Sequence, residues 1–147
     1  ENVEGHRIEI GGVDWPARCE VATNNAQGYM ENFEITQSIE VGMDLIRGVD
    51  LFINDTAPFK LAKDELKFGE LGAILYQCLE VLRIASLILE PVIPSKSKAF
   101  HGAIGFGGHP AKPLGEATKW GGLQVGTLVS KVALFPRVDK SQEQIAH

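Results

Sequence analysis

Cysteine is scarce in this sequence. Cys19 and Cys78 stand far apart and are the only two among 147 residues. A small chain held by disulfides needs a denser framework, so the expectation is a reducing compartment and a fold held by packing. Histidine is equally thin. His6, His101, His109 and His147 are scattered, and none pairs with a cysteine at zinc-ligand spacing; each reads as a surface or loop residue. The Glu-x-x-His pairs of di-iron bundles are missing. The stretch GFGGHP at 105–110 is glycine-rich but lacks the Gly-Lys-Ser/Thr ending of a phosphate loop. No Ser-His-Asp set can be argued from spacing. No apolar run reads as long enough to span a bilayer, no signal-peptide pattern opens the chain, and no repeat of solenoid period occurs. These absences argue against a metal or cofactor bundle and against a membrane partner. The chain opens on Glu1 without an initiator methionine, and the expectation is a piece of something longer.

What is present is ordinary for one globular domain: 44% hydrophobic and 22% charged residues. The formal net charge of −5 argues against a surface devoted to phosphates or anionic lipid, while leaving room for a local basic patch. The clearest pattern lies between Glu34 and Lys63. Ile35, Ile39, Gly42, Ile46, Val49 and Ile53 follow at steps of four and three, with Val41, Leu45, Gly48 and Phe52 in a parallel row. That spacing predicts a helix from Phe33 to about Asn54 with a wide apolar face, which needs more than one neighbour. Pro58 cannot continue the preceding turn but suits the start of a new one, so a short helix is expected from Pro58 to about Lys63.

The same logic reads the rest of the chain. Residues 1–13 form an irregular lead-in, with Arg7 to Ile10 a candidate short strand. Asp14 is a plausible N-cap, with Pro16 just inside a helix from about Trp15 to Met30. After a charged connection at Asp64 to Lys67, Leu71, Leu75, Cys78, Leu82, Ala85 and Leu89 predict a helix from Phe68 to Leu89, ended by Pro91 and Pro94. In this reading Cys78 is a core side chain, Gln77, Glu80 and Arg83 form a polar row, and Glu70 and Glu80 are surface charges. A further helix is expected from Ser95 to about Ile104 and a short helical turn between Leu114 and Trp120. Long helices with short connections are antiparallel neighbours. The expected fold is all-α, one antiparallel helix bundle over residues 1–147, with a C-terminal loop and a short extended tail.

One constellation at the helix junction carries chemistry. Phe59 stands beside Lys60, with Lys63 and Lys67 four and eight residues on. If the short helix reaches Lys63, ring and amine share a face. An aromatic ring among lysines can stack a splayed-out base while the lysines meet phosphate. The alternative is a Phe59 that plugs the end of the core, and spacing alone favours it.

The segment INDTAPFKLAKDE, followed by LGAILYQCLEVLRIASLILEPVIP, resembles the anticodon-binding helical domain of the methionyl-tRNA synthetases. That family carries Ala-Pro-Trp-Lys-Leu-Ala-Lys after an Asn-containing turn, then a Leu-Arg-Ile helix closed by Pro-x-x-Pro. Its tail pattern is matched by Trp120, Gly126 and Leu134 to Asp139. The likeness runs from about Asn24 to Lys140. It implies a parent that is a class I ligase, joining methionine to its tRNA with ATP in a separate catalytic domain. The His-Ile-Gly-His and Lys-Met-Ser-Lys-Ser signatures of that domain do not occur here. The resemblance therefore implies a non-catalytic, tRNA-reading part, with no cofactor of its own; ATP and zinc belong to the parent's catalytic region.

By resemblance the anticodon site comprises Asn54, Phe59, Lys60 and Lys63, and the partners are methionine tRNA and the parent's catalytic domain, with no DNA. The location implied is cytoplasmic. The tail from 105 to 147 is expected to pack toward the catalytic domain. Two departures stand out. Phe59 replaces the family's Trp, keeping a π-face but losing area and the indole N–H. No Asn-x-x-Asn-Arg matches the family's first bundle helix, which is expected upstream of Glu1. The competing reading is a helical interaction module that keeps the fold without reading tRNA.

Overall fold

The computed structural model describes residues 12–107 and 112–135. The candidate strand at Arg7 to Ile10, and His6, His109 and His147, lie outside these residues. Six helices run α1 Trp15–Glu31, α2 Ile35–Thr56, α3 Pro58–Leu61, α4 Phe68–Leu89, α5 Pro94–Ala103 and α6 Leu114–Ala117. The described residues contain no strand, and the architecture is the all-α bundle expected.

The helix limits follow local signals. The Asp14 carboxylate accepts from the Ala17 N–H at 3.1 Å, capping α1, with Pro16 in its first turn. Pro94 opens α5. Glu65–Lys67, expected as a plain connection, forms a 3-10 turn whose Leu66 N–H is held by the Asp64 carboxylate at 3.1 Å.

α4 is the hub, packing against every other helix. Its burial explains an otherwise misleading composition. Within Glu65–Leu89 an 18-residue window has a mean hydropathy of 1.6, long and apolar enough by composition to cross a membrane, contrary to the sequence reading; but 61% of that window is buried inside the protein. Its apolar surface is the bundle's core. Ile74, Val81, Ile84 and Ala85 are fully buried there, beside Trp15, Leu45, Val49 and Phe52 from α1 and α2. Phe52 meets Trp15 edge to face, with centroids 5.6 Å apart.

The wide apolar face of α2 is used, and its centre is sealed most tightly. Its buried residues are Ser38, Gly42, Leu45, Gly48, Val49 and Phe52, drawn from both apolar rows, while Ile39, Val41, Ile46 and Ile53 are half buried and Ile35 is half exposed. Two glycines of this face lie against neighbouring side chains. A Cβ on Gly42 would come within 2.8 Å of Leu89 Cγ, and one on Gly48 within 2.7 Å of the Arg18 guanidinium.

Glu80, read as a helix-surface charge, and Gln77 and Arg83, read with it as a polar row, are instead buried, Glu80 and Arg83 fully so. Glu80 accepts from Arg83 Nη2 at 2.7 Å and Nε at 3.0 Å. The same carboxylate accepts from the backbone N–H groups of Gly121, Gly122 and Leu123 at 2.8, 2.9 and 3.1 Å. Arg83 also donates to the carbonyls of Ala117 and Lys119, at 2.7 and 2.8 Å. A buried ion pair is tolerable only when its remaining hydrogen-bonding positions are filled, and here the segment after α6 fills them. Gly122 is what lets that segment come so close: its Cβ would stand 2.6 Å from Arg83 Cζ. The Tyr76 hydroxyl donates to the Leu123 carbonyl at 2.9 Å. Burial, with the Glu80 charge second, pushes that phenol's pKa up, so it stays a donor.

His101 is also a correction, since it is buried in α5 rather than lying on the surface. Its Nε2 is 2.7 Å from Ser86 Oγ, and its ring meets Phe106 edge-on at 5.1 Å. The described part of the tail, residues 124–135, contains turns and coil. Ser130 N–H donates to the Ala103 carbonyl at 2.7 Å. Lys96 Nζ lies 5.6 Å from the Phe135 ring. Of the expected tail motif, Leu134 and Phe135 are described, and Pro136 to Asp139 lie outside the described residues.

Candidate nucleic-acid interface

The junction between α2 and α3 is built from a strained residue and a proline. Ala57 caps α2 in the left-handed region, at φ 45° and ψ 59°. A side chain there costs roughly 1–2 kcal/mol, and such strain persists only where the surroundings impose it. The Ala57 N–H still donates to the Ile53 carbonyl at 2.9 Å, and the Thr56 hydroxyl donates to the Phe52 carbonyl at 2.6 Å. The left-handed residue breaks the direction of α2, and Pro58 starts α3 with its ring buried. Lys60 N–H donates back to the Ala57 carbonyl at 2.9 Å.

This geometry decides where Phe59 goes. Pro58 is buried and Leu61 half buried, three residues apart on the inward side of α3. Phe59 and Lys60 therefore point outward, and Phe59 is 61% exposed. Phe52, seven residues earlier, is the phenylalanine buried in the core. Asn54 at the end of α2 is exposed, as are Lys60, Lys63 and Lys67. α3 ends at Leu61, so the expected extension to Lys63 does not occur; Lys63 lies in the following turn, its N–H donating to the Lys60 carbonyl at 3.3 Å. Among the described residues, none of these three lysines is paired with a carboxylate. Asn54, Phe59, Lys60 and Lys63 are thus all exposed along the ten residues that run from the end of α2 through α3.

Sequence reasoning missed two neighbours, Leu66 at 96% exposed and Phe68 at 51%. A count of aromatics beside lysines would have found Phe68. Elsewhere, a cleft of about 450 Å³ runs between α1 and the α6 segment, bordered by Glu20, Thr23, Asn24, Lys119 and Trp120. Among the described residues no group of three His, Cys, Asp or Glu side chains is gathered that could hold a metal ion. Both cysteines are free and buried. Burial, then the Glu80 charge, pushes the Cys19 thiol up to about 12; burial pushes Cys78 up to about 11. Neither is suited to act as a nucleophile near neutral pH.

No family model matches the chain. Full-length relatives do. The chain is 34% identical over 116 residues to the methionine–tRNA ligase of Deinococcus radiodurans, a match covering 78% of this chain and 17% of the relative. It is 32% identical over 116 residues to that of Caldanaerobacter subterraneus subsp. tengcongensis, covering 78% and 18%. It is 30% identical over 130 residues to that of Bacillus subtilis, covering 86% and 19%. This chain is a relative of one segment of the methionine–tRNA ligases. It spans less than a fifth of the length of these three ligases.

Proposed function

We propose that these residues form the anticodon-reading helical part of a methionine–tRNA ligase, and that the corner of Asn54, Phe59, Lys60 and Lys63 meets the tRNA. The observation that carries this reading is the exposed Phe59 ring, held outward by Ala57 and Pro58 beside unpaired lysines. A ring with a free face stacks an unpaired base for roughly 1–3 kcal/mol, with Phe at the lower end for its smaller area. Lysines without carboxylate partners are available to phosphate. Activation of methionine with ATP belongs, in this reading, to a catalytic region elsewhere in the parent protein, because neither ATP signature occurs in this sequence. The partners are methionine tRNA and that catalytic region, in the cytoplasm. The tail leads toward the catalytic region.

The test is made in the complete ligase. Phe59→Ala should lower charging of methionine tRNA by roughly 5- to 30-fold in kcat/KM. Exchange of pyrophosphate into ATP with methionine should be unchanged. Equal loss of both activities would remove Phe59 from anticodon reading. The net charge of −5 favours a second reading, an interaction module that keeps the fold without tRNA. Failure of the complete gene product to bind methionine tRNA at any salt concentration would select it.

A further inference from the structure

At the start of α4 a lysine–phenylalanine pair stands in the reverse order of the pair at Phe59. Phe68 opens α4 with 51% of its surface exposed, next in sequence to exposed Lys67, as Phe59 is next to exposed Lys60. We infer that Phe68, with Lys67, is a second base-stacking platform, so that this corner takes two neighbouring unstacked bases of one RNA strand with the intervening phosphate on the lysines. The inference rests on the tRNA reading of the same corner and extends it to a residue not yet assigned.

Three observations support it. The spacer between the rings is folded, not extended: Ala62 N–H donates to the Pro58 carbonyl at 3.0 Å, Asp64 to Leu61 at 3.1 Å and Lys67 to Asp64 at 3.0 Å. α3 also packs directly against α4. Consecutive tight turns therefore make the spacer between the two rings compact. Next, Lys60, Lys63 and Lys67 recur at steps of three and four with no carboxylate partner among the described residues. Phosphate can meet such cations without displacing an ion pair. Finally, the local acids limit what electrostatics alone can do. Asp64 is engaged as a cap on Leu66 N–H, but Glu65 stays exposed in the same coil. A corner with this mixed charge is a poor sink for polyanions in general, so affinity must come from the rings. Stacking on an aromatic face is sequence-tolerant and suits single-stranded loops.

The experiment uses the complete gene product and an anticodon stem-loop of methionine tRNA, with 2-aminopurine replacing one loop base at a time. Stacking on a ring changes the fluorescence of that base. Phe68→Leu keeps apolar bulk at the start of α4 but removes the π-face, and Phe68→Tyr restores it. The expected result is about 5- to 30-fold weaker binding for Phe68→Leu, recovery in Phe68→Tyr, and an unchanged slope of affinity against salt. Phe59→Leu and Phe68→Leu should abolish the stacking signal at two different, adjacent positions. If Phe59→Leu weakens binding while Phe68→Leu alters neither affinity nor any fluorescence signal, the second platform is overturned and the first stands. If neither variant changes binding, the tRNA reading of this corner fails, and the inference with it.

Discussion

Removing the Glu80 carboxylate is the most demanding test of how this bundle is closed. One oxygen accepts from Arg83 Nη2, Gly121 N–H and Gly122 N–H; the other accepts from Arg83 Nε and Leu123 N–H. Every one of these five contacts needs an acceptor. In Glu80→Gln, whichever way the amide turns, its NH₂ faces at least two donors. The isosteric change should therefore cost nearly as much as Glu80→Ala. Breaking a buried pair from one side costs about 3–5 kcal/mol, a fall in Tm on the order of 10–15 °C for a chain of this size. The double variant Glu80→Leu/Arg83→Met is the sharper probe. For an isolated buried pair such a swap is often neutral or stabilising. Here the carbonyls of Ala117 and Lys119 and the N–H groups of residues 121–123 would lose their partners as well. At about 1 kcal/mol net per lost bond, partly recovered by water, the double variant should stay at least about 2 kcal/mol less stable than the parent. Urea unfolding gives the stability, and amide exchange at Gly121, Gly122 and Leu123 should accelerate selectively. A Glu80→Gln protein within about 0.5 kcal/mol of the parent, with protection at those amides intact, would refute the reasoning.

Other perturbations separate effects that the sequence confounds. Gly42→Ala should destabilise by roughly 1–2 kcal/mol in urea, because the new methyl meets the buried Leu89 side chain and overpacking outweighs the gain in helix propensity. Gly48→Ala meets only the end of the exposed Arg18 side chain, which can swing away, so the same assay should show no loss. Ala57→Gly relieves the left-handed strain at φ 45° and should raise stability by roughly 0.5–1 kcal/mol. Folding holds both thiols protonated, above their ordinary value of 9.0. Their contribution is complete below about pH 9, where unfolded thiols begin to ionise, and is lost as the pH rises through about 11 for Cys78 and about 12 for Cys19. Stability should fall there by about 1.4 kcal/mol per pH unit per thiol. Urea midpoints measured across that range should slope less in Cys78→Ala than in the parent.

Local chemistry alone was enough to place the helices. Asp14 with Pro16, Pro58, and the Pro91 to Pro94 turn act through neighbours a few residues away, and the breaks fall where these residues stand. The same local rule put Pro58 and Phe59 at a junction, and the resemblance marked that junction as a candidate site. Which way Phe59 points was not legible, because it depends on Pro58 and Leu61 finding cover against the rest of the bundle. Nor was it legible which part of the wide apolar face of α2 is sealed. Gly42 and Gly48, one from each row, are buried against neighbouring side chains, while Ile39, Ile46 and Ile53 stay half buried. Glu80 and Arg83 are the extreme case. On a helix a polar row reads as solvent-facing, and these two can be buried only because backbone donors and acceptors arrive from residues more than thirty positions away. Spacing along a chain carries the period of a helix, but the partners that cover or satisfy each face come from distant segments, so only the tertiary structure could assign them.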